Sequence, residues 1–155
     1  MKTPDQWFDQ YGECHRHPTN KLIHWFAVPL IFVSIIGLLW EIPLPIIFPQ
    51  HALLNWSTLI LIGVLLFYFR LSIRLGIGMA VFSILAVTAV AYYDQLNWSA
   101  TWLASLLLFI VLWVLQFIGH AIEGKKPAFF DDVKFLLIGP LWLMGYIYRR
   151  FHIKY

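Results

Sequence analysis

The sequence contains little charge. Asp, Glu, Lys and Arg make up only 12% of its 155 residues, whereas a soluble domain carries about 25%. Hydrophobic residues account for 61% of the chain and the mean hydropathy is +0.74. A water-soluble fold of this size has too little interior to bury so much apolar surface. The composition therefore excludes an ordinary soluble domain and predicts an integral membrane protein.

Cysteine is nearly absent as well. Cys14 is the single cysteine, so an internal disulfide is excluded. A lone cysteine is usually a small packing residue, although Cys14 stands among histidines and a soft ligand role stays open. The first 24 residues also lack the apolar run of a secretory signal. The first hydrophobic segment is therefore expected to remain in place as a membrane span.

Four hydrophobic stretches are long enough to cross a bilayer as helices, which takes about 17–25 residues. They cover roughly residues 22–40, 53–69, 73–93 and 100–119. A fifth stretch, residues 135–148, would reach about 21 Å as a helix, against a hydrocarbon core of about 30 Å. Gly139-Pro140 lies at its middle and should break or kink a helix.

The predicted fold class is therefore all-α and polytopic. One integral membrane domain covers residues 1–155, with a polar cytoplasmic segment at 1–21. Four transmembrane helices follow, and residues 135–148 form a short re-entrant or interfacial hairpin that does not cross.

Two connections that contain no Lys or Arg indicate the topology. Residues 41–52 and 94–99 have none, whereas all 11 basic residues fall in the N-terminal segment, the second connection, the segment after the fourth span or the C-terminal tail. The positive-inside rule then places the N-terminus in the cytoplasm. Because these residues form short loops, we expect no nucleic-acid partner despite the net charge of +3. The expected location is a bacterial inner membrane, or the endoplasmic reticulum membrane of a eukaryote.

Four histidines lie just outside the predicted spans. His15, His17 and His24 occur in the run HRHPTNKLIH, and His120 occurs in QFIGH. In the four-span topology both runs lie at the cytoplasmic ends of the spans. Imidazole is the commonest metal ligand and is costly beside lipid. The sequence therefore predicts one metal site built from these four histidines, suited to iron, zinc or copper and not to calcium or magnesium.

The other two histidines are not expected to join this site. His51 falls in an external connection, about a bilayer thickness away, and His152 falls in a basic tail.

Polar residues near the four histidines are candidates for supporting roles. Pro18 suits the first turn of a helix that would place Asn20 and His24 on the same face as His17. Glu123, three residues after His120, could orient a ligand, bind the metal itself or only cap its helix. The remaining candidates are Lys125 and Lys126, which fit as topology determinants or as partners of a carboxylate head group, and Gln116, which needs a polar partner at membrane depth.

At these residues the chain resembles the membrane-embedded 2-hydroxy fatty acid dioxygenases. The resemblance covers nearly the whole chain, and its marks are Tyr11 followed by HRHPTNKLIH, then QFIGH, EGKKPAFFDD and LLIGPLW. It implies an Fe(2+)-dependent enzyme of fatty acid α-oxidation and sphingoid-base breakdown. The implied substrates are O2 and a 2-hydroxy fatty acid such as 2-hydroxypalmitate, held among membrane lipid, and the implied product is a fatty acid one carbon shorter. His15, His17, His24 and His120 match the family's functional histidines.

Two other functions stay open at this point. A histidine-box desaturase or hydroxylase needs more histidines, in several boxes, than the six present here. A lipid-binding or transport scaffold would need polar residues deep in the spans, where only Gln116 and a few Ser or Thr occur.

Overall fold

A computed structural model describes residues 2–45 and 54–155, and every regular element within those ranges is helical. The prediction of an all-α fold is therefore confirmed for the described residues. The helices are α1 (Pro4–Gly12), α2 (Pro18–Trp40), α3 (Trp56–Leu71), α4 (Ile73–Leu96), α5 (Thr101–Glu123), a short 3-10 helix (Ala128–Phe130) and α6 (Phe135–Arg150).

Three of these helices, α2, α4 and α5, are long and apolar enough to cross a membrane. Helix α3 is apolar but has 16 residues, which gives about 24 Å against a core of about 30 Å. The four crossings therefore stay a prediction. The bounds of α2 and α5 differ from those of the predicted spans because local backbone signals set them. Helix α2 begins at Pro18, and α5 ends before Gly124, which has a φ of 70°.

Helix α1 was not expected within the polar N-terminal segment. Thr3 caps it by accepting a hydrogen bond from the Gln6 backbone N–H, and the Gln6 side chain accepts one from Thr3 in return. This capping box with Pro4 in the first turn is a sequence signal for a helix start. One face of the helix buries Trp7, Phe8 and Tyr11.

Helix α6 differs from the hairpin predicted for residues 135–148. It is one helix that continues through Gly139-Pro140. Ile138 and Leu141, on either side of that pair, are fully buried, and their packing outweighs the local cost of a proline. Tyr68 also donates a hydrogen bond to the Leu137 carbonyl in this turn.

Helix α6 lies along α1. The Tyr11 and Trp142 ring centroids are 5.4 Å apart, the Phe8 ring packs against Gly145, and the Arg149 guanidinium lies 4.0 Å from the Asp5 carboxylate. A helix that follows α1 over its length stays at the end of the bundle where α1 lies. The non-crossing role of this segment stays a prediction.

The basic connections meet at one end of the helix bundle. Arg74, at the start of α4, donates a hydrogen bond to the Lys154 carbonyl, and Tyr148 in α6 donates to the Arg74 carbonyl. Lys125, just after α5, donates to the Glu13 carbonyl. The N-terminal segment, the α3–α4 junction, the end of α5 and the tail therefore share one end, as the charge pattern predicts.

The opposite end is held by acidic side chains. The Thr101 backbone N–H donates to the Glu41 carboxylate at 2.7 Å, and the Thr101 hydroxyl donates to the Asp94 carboxylate at 2.7 Å. These contacts join the end of α2, the end of α4 and the start of α5. His51 lies outside the described residues.

Candidate metal centre

Three imidazoles meet where the α1–α2 connection, α2 and α5 come together. His15 follows α1, His24 lies in the second turn of α2, and His120 lies in the last turn of α5. Their exposed fractions are 1%, 0% and 4%. The ring centroids are 4.3 to 5.0 Å apart, and one ring nitrogen from each histidine lies within 4.8 Å of the others.

Backbone carbonyls fix the tautomers of two of these rings. His15 Nδ1 lies 2.6 Å from the Tyr11 carbonyl oxygen, and His24 Nδ1 lies 2.9 Å from the Asn20 carbonyl oxygen. Because a carbonyl oxygen only accepts, each Nδ1 carries the proton and each Nε2 offers a lone pair. A hydrogen bond from the remote ring nitrogen to a carbonyl is the usual support of a metal-bound histidine.

The free nitrogens of the three rings have no hydrogen-bond partner in the described structure. His15 Nε2, His24 Nε2 and His120 Nδ1 are all buried and unpaired. An unpaired buried polar atom costs about 1–3 kcal/mol, and three such atoms close together suit one shared ligand. Three buried imidazoles could bind a metal ion, and nitrogen donors suit iron, zinc or copper.

The protonation state of His15 also suits ligation. Burial, followed by the neighbouring histidine His24, lowers the pKa of His15 to about 3. The ring is therefore neutral at physiological pH, as a metal-binding imidazole must be.

Glu123 connects the end of α5 to the backbone next to His15. Its carboxylate accepts hydrogen bonds from the backbone N–H groups of Arg16 and His17, at 2.9 and 2.7 Å. The Asn20 amide donates to the same carboxylate at 3.3 Å and to the Cys14 carbonyl at 3.0 Å. Both carboxylate oxygens are thus used to attach the end of α5 to the turn that carries His15.

His17 lies apart from the three buried histidines. It caps α2, where its exposed ring accepts a hydrogen bond through Nδ1 from the Thr19 backbone N–H at 3.2 Å. Its predicted ligand role stays a prediction. His152 is exposed in the tail. Cys14 is half-buried outside the histidine group, and burial raises the pKa of its thiol, which disfavours the thiolate that binds metals.

An apolar cavity of about 240 Å³ adjoins the histidines. His15 and His120 form part of its wall together with Tyr11 and Gln116, and the rest of the wall is almost entirely hydrophobic. Gln116 forms part of the same wall, and its amide lies beside the His24 ring. The cavity and Tyr11 were not predicted as parts of the site, because a cavity between helices leaves no local pattern in a sequence.

These features define a class of protein: a helical protein with candidate membrane spans and a buried trihistidine centre that borders an apolar cavity. The chain belongs to the 2-hydroxy-palmitic acid dioxygenase Mpo1-like family, whose model matches residues 1–151. It is also 28% identical over 136 residues to the 2-hydroxy-palmitic acid dioxygenase MPO1 of Saccharomyces cerevisiae, which covers 86% of this chain and 73% of the yeast protein. No solved structure matches. The resemblance inferred from the motifs is confirmed.

Replacing any one of the three buried histidines is expected to abolish metal binding. Purified wild-type protein should hold about one metal ion per chain, because three imidazoles converge on one point. His15→Ala, His24→Ala and His120→Ala should each lose most of it, measured by elemental mass spectrometry alongside the size-exclusion profile. His152→Ala is the matched control. His17→Asn keeps a capping side chain, so its metal content tests the fourth predicted ligand: loss of the metal would make His17 a ligand, and retention would limit the site to three histidines.

Removing the Glu123 carboxylate is expected to weaken the metal without removing a ligand. Glu123→Ala frees the His15 turn from α5, and losses of supporting contacts of this kind typically cost about 10–100-fold in metal affinity. A chelator competition titration measures the change, with Asp9→Ala, an exposed acid of α1, as the control. Equal affinity in the Glu123 variant and wild type would refute this anchoring role.

Proposed function

We propose that this protein is an iron(II)-dependent dioxygenase that cleaves 2-hydroxy fatty acids, such as 2-hydroxypalmitate, to fatty acids one carbon shorter. The proposal rests mainly on one observation: unpaired imidazole nitrogens lie at one end of an apolar cavity. The family match and the printed name of the yeast relative support the same reaction. The physiological setting would be fatty acid α-oxidation and sphingoid-base breakdown.

His15, His24 and His120 would hold the iron. When bound, iron would supply positions at which dioxygen and the carboxylate and hydroxyl oxygens of the substrate can meet. Three protein ligands leave such positions open. The chain contributes a fixed ring orientation, through the carbonyls of Tyr11 and Asn20. It also keeps water away, since all three rings are almost completely buried.

The cavity would hold the acyl chain. On α2 its wall runs from Val28, one turn after His24, to Leu39, a distance of roughly 16 Å at 1.5 Å per residue. Ile60 and Val64 of α3 continue the apolar wall. Each methylene group moved from water into such a wall gains about 0.8 kcal/mol, so the cavity favours a long hydrocarbon chain with its polar end at the histidines.

One side of the cavity is open where lipid would surround the protein. Ile35, Ile60 and Leu136 belong to its wall yet remain almost half exposed. A fatty acid dissolved in the bilayer could therefore enter sideways, with its head group near the membrane surface. This route explains why such an enzyme would be embedded in the membrane.

Cationic side chains lie next to the head-group end. Lys125 and Lys126 border a shallow surface pocket that also includes His120. We assign to them the attraction of the substrate carboxylate toward the centre. Lys125 also contacts the Glu13 carbonyl, so its ammonium group is partly committed to the fold.

The overall reaction balances with dioxygen as the oxidant. A 2-hydroxy acid and one dioxygen molecule give the shortened acid, carbon dioxide and water, with the bond between the carboxyl carbon and C2 broken. Oxidation at C2 and loss of the carboxyl carbon together supply the four electrons that dioxygen takes up. No separate reductant or electron-transfer partner is required.

We place the protein in the membrane with four crossings, α2 to α5, and with α6 beside α1 at the cytoplasmic surface. The gathering of basic residues at one end of the bundle supports this arrangement. The centre would then face the cytoplasm, in a bacterial inner membrane or in the endoplasmic reticulum membrane.

Turnover of a defined substrate tests the proposal. Detergent-purified protein, loaded with iron(II) and incubated in air with 2-hydroxypalmitate, should form pentadecanoate detectable by mass spectrometry. Palmitate, which lacks the hydroxyl group, should give no shortened acid. His120→Ala should be inactive because it removes one of the converging nitrogens.

Two results would contradict the proposal at different levels. Metal-loaded protein that forms no pentadecanoate would refute this substrate and reaction. Wild-type protein that is folded but binds no iron would refute the metal centre itself.

A further inference from the structure

The hydroxyl group of Tyr11 has no hydrogen-bond partner among the described residues, and it is not one of the fully buried polar atoms. Tyr11 is 6% exposed and belongs to the wall of the cavity. The backbone carbonyl of Tyr11 accepts hydrogen bonds from His15 and Cys14, and its ring packs against neighbouring rings. A buried phenol normally finds a partner for its O–H group.

Tyr68 shows how this fold treats a buried tyrosine that has only a structural role. It is completely buried, yet its hydroxyl donates to the Leu137 carbonyl at 2.8 Å. Tyr68 does not belong to the cavity wall. Of these two buried tyrosines, Tyr11, which lies beside the histidines, is the one whose hydroxyl is unpaired.

The position of Tyr11 relative to the centre is fixed twice. Its ring stacks on the His15 ring with centroids 4.1 Å apart and planes inclined by 16°. Its backbone carbonyl lies 2.6 Å from His15 Nδ1. These two contacts hold the Tyr11 phenol next to the His15 imidazole, to which we assign the role of a metal ligand.

Gly139 leaves room beside this hydroxyl. A Cβ atom at position 139 would lie 3.0 Å from the Tyr11 hydroxyl oxygen, closer than most real contacts allow. Gly139 also belongs to the cavity wall, as do Gln116 and His120. The hydroxyl therefore lies at the polar end of an otherwise apolar cavity.

We propose that the Tyr11 hydroxyl donates a hydrogen bond to an oxygen of the substrate's 2-hydroxy acid head group and so positions that head group at the trihistidine centre. This inference rests on the proposed function for the identity of the substrate. It assigns Tyr11 to substrate binding, whereas its backbone and ring support His15. A phenol is a protonated donor at neutral pH, and the carboxylate and hydroxyl oxygens of the substrate are acceptors.

Tyr11→Phe separates these roles, because phenylalanine keeps the ring and the backbone carbonyl and removes only the oxygen. Binding of 2-hydroxypalmitate and of palmitate is measured without dioxygen, by ligand-induced thermal stabilisation of the iron-loaded protein. Tyr11→Phe should bind 2-hydroxypalmitate at least about fivefold more weakly, the typical effect of one lost hydrogen bond. In air, KM should rise by a similar factor.

Tyr68→Phe is the matched control. It removes the same oxygen from a buried tyrosine outside the cavity, so it should lower the melting temperature and leave the affinity for 2-hydroxypalmitate unchanged. Metal content should equal that of wild type in both variants.

Comparing 2-hydroxypalmitate with palmitate identifies which substrate oxygen accepts the hydrogen bond from Tyr11. Weaker binding of 2-hydroxypalmitate alone would assign the bond to the 2-hydroxyl, and equal weakening of both ligands would assign it to the carboxylate. Unchanged affinity for both ligands in metal-loaded Tyr11→Phe would overturn the inference. If wild-type protein forms no pentadecanoate but the binding difference is present, the proposed reaction fails while the role of Tyr11 stands.

Discussion

The centre depends on the two hydrogen bonds that the Glu123 carboxylate accepts from the backbone of Arg16 and His17. These bonds join positions more than 100 residues apart in sequence and hold the His15 turn against the end of α5. Through Asn20, the same carboxylate also contacts the first turn of α2. A charged acceptor with backbone donors forms stronger hydrogen bonds than a neutral one. This clamp brings three histidines from three segments to one point.

The apolar cavity beside the three histidines matches one kind of ligand. Polar groups are confined largely to the histidine end, where Tyr11, Gln116 and the imidazoles form the wall, and hydrocarbon side chains line the remainder. A ligand with one polar end and a long apolar body matches this distribution. In the proposed membrane arrangement, the partial exposure of Ile35 and Ile60 would give such a ligand access from the lipid. The proposed metal centre, the cavity and the proposed membrane location are thus consistent with one another.

Much of this fold could be predicted from the sequence because long apolar runs and one-sided charge are local signals. They located α2, α4 and α5 and the end of the bundle at which the histidines meet. The packing of α1 along α6 was missed, since it depends on the buried faces of Trp7, Phe8 and Tyr11 against a distant helix. The continuity of α6 through Pro140 was missed for the same reason: tertiary packing outweighed a local rule.

The candidate site was predicted in part. Spacing and topology selected His15, His17, His24 and His120, and the structure brings three of them together. His17 lies outside this group and its ring caps α2 through Nδ1, so its ligand role stays a prediction. The free hydroxyl of Tyr11 became visible only when its surroundings were known.

X-ray absorption at the iron edge of the purified, iron-loaded protein tests whether the three buried histidines bind the metal. We expect one class of iron with about three imidazole nitrogen ligands, a signal that His120→Ala should lose. Iron coordinated by oxygen alone, or a spectrum unchanged by His120→Ala, would contradict a centre built from His15, His24 and His120.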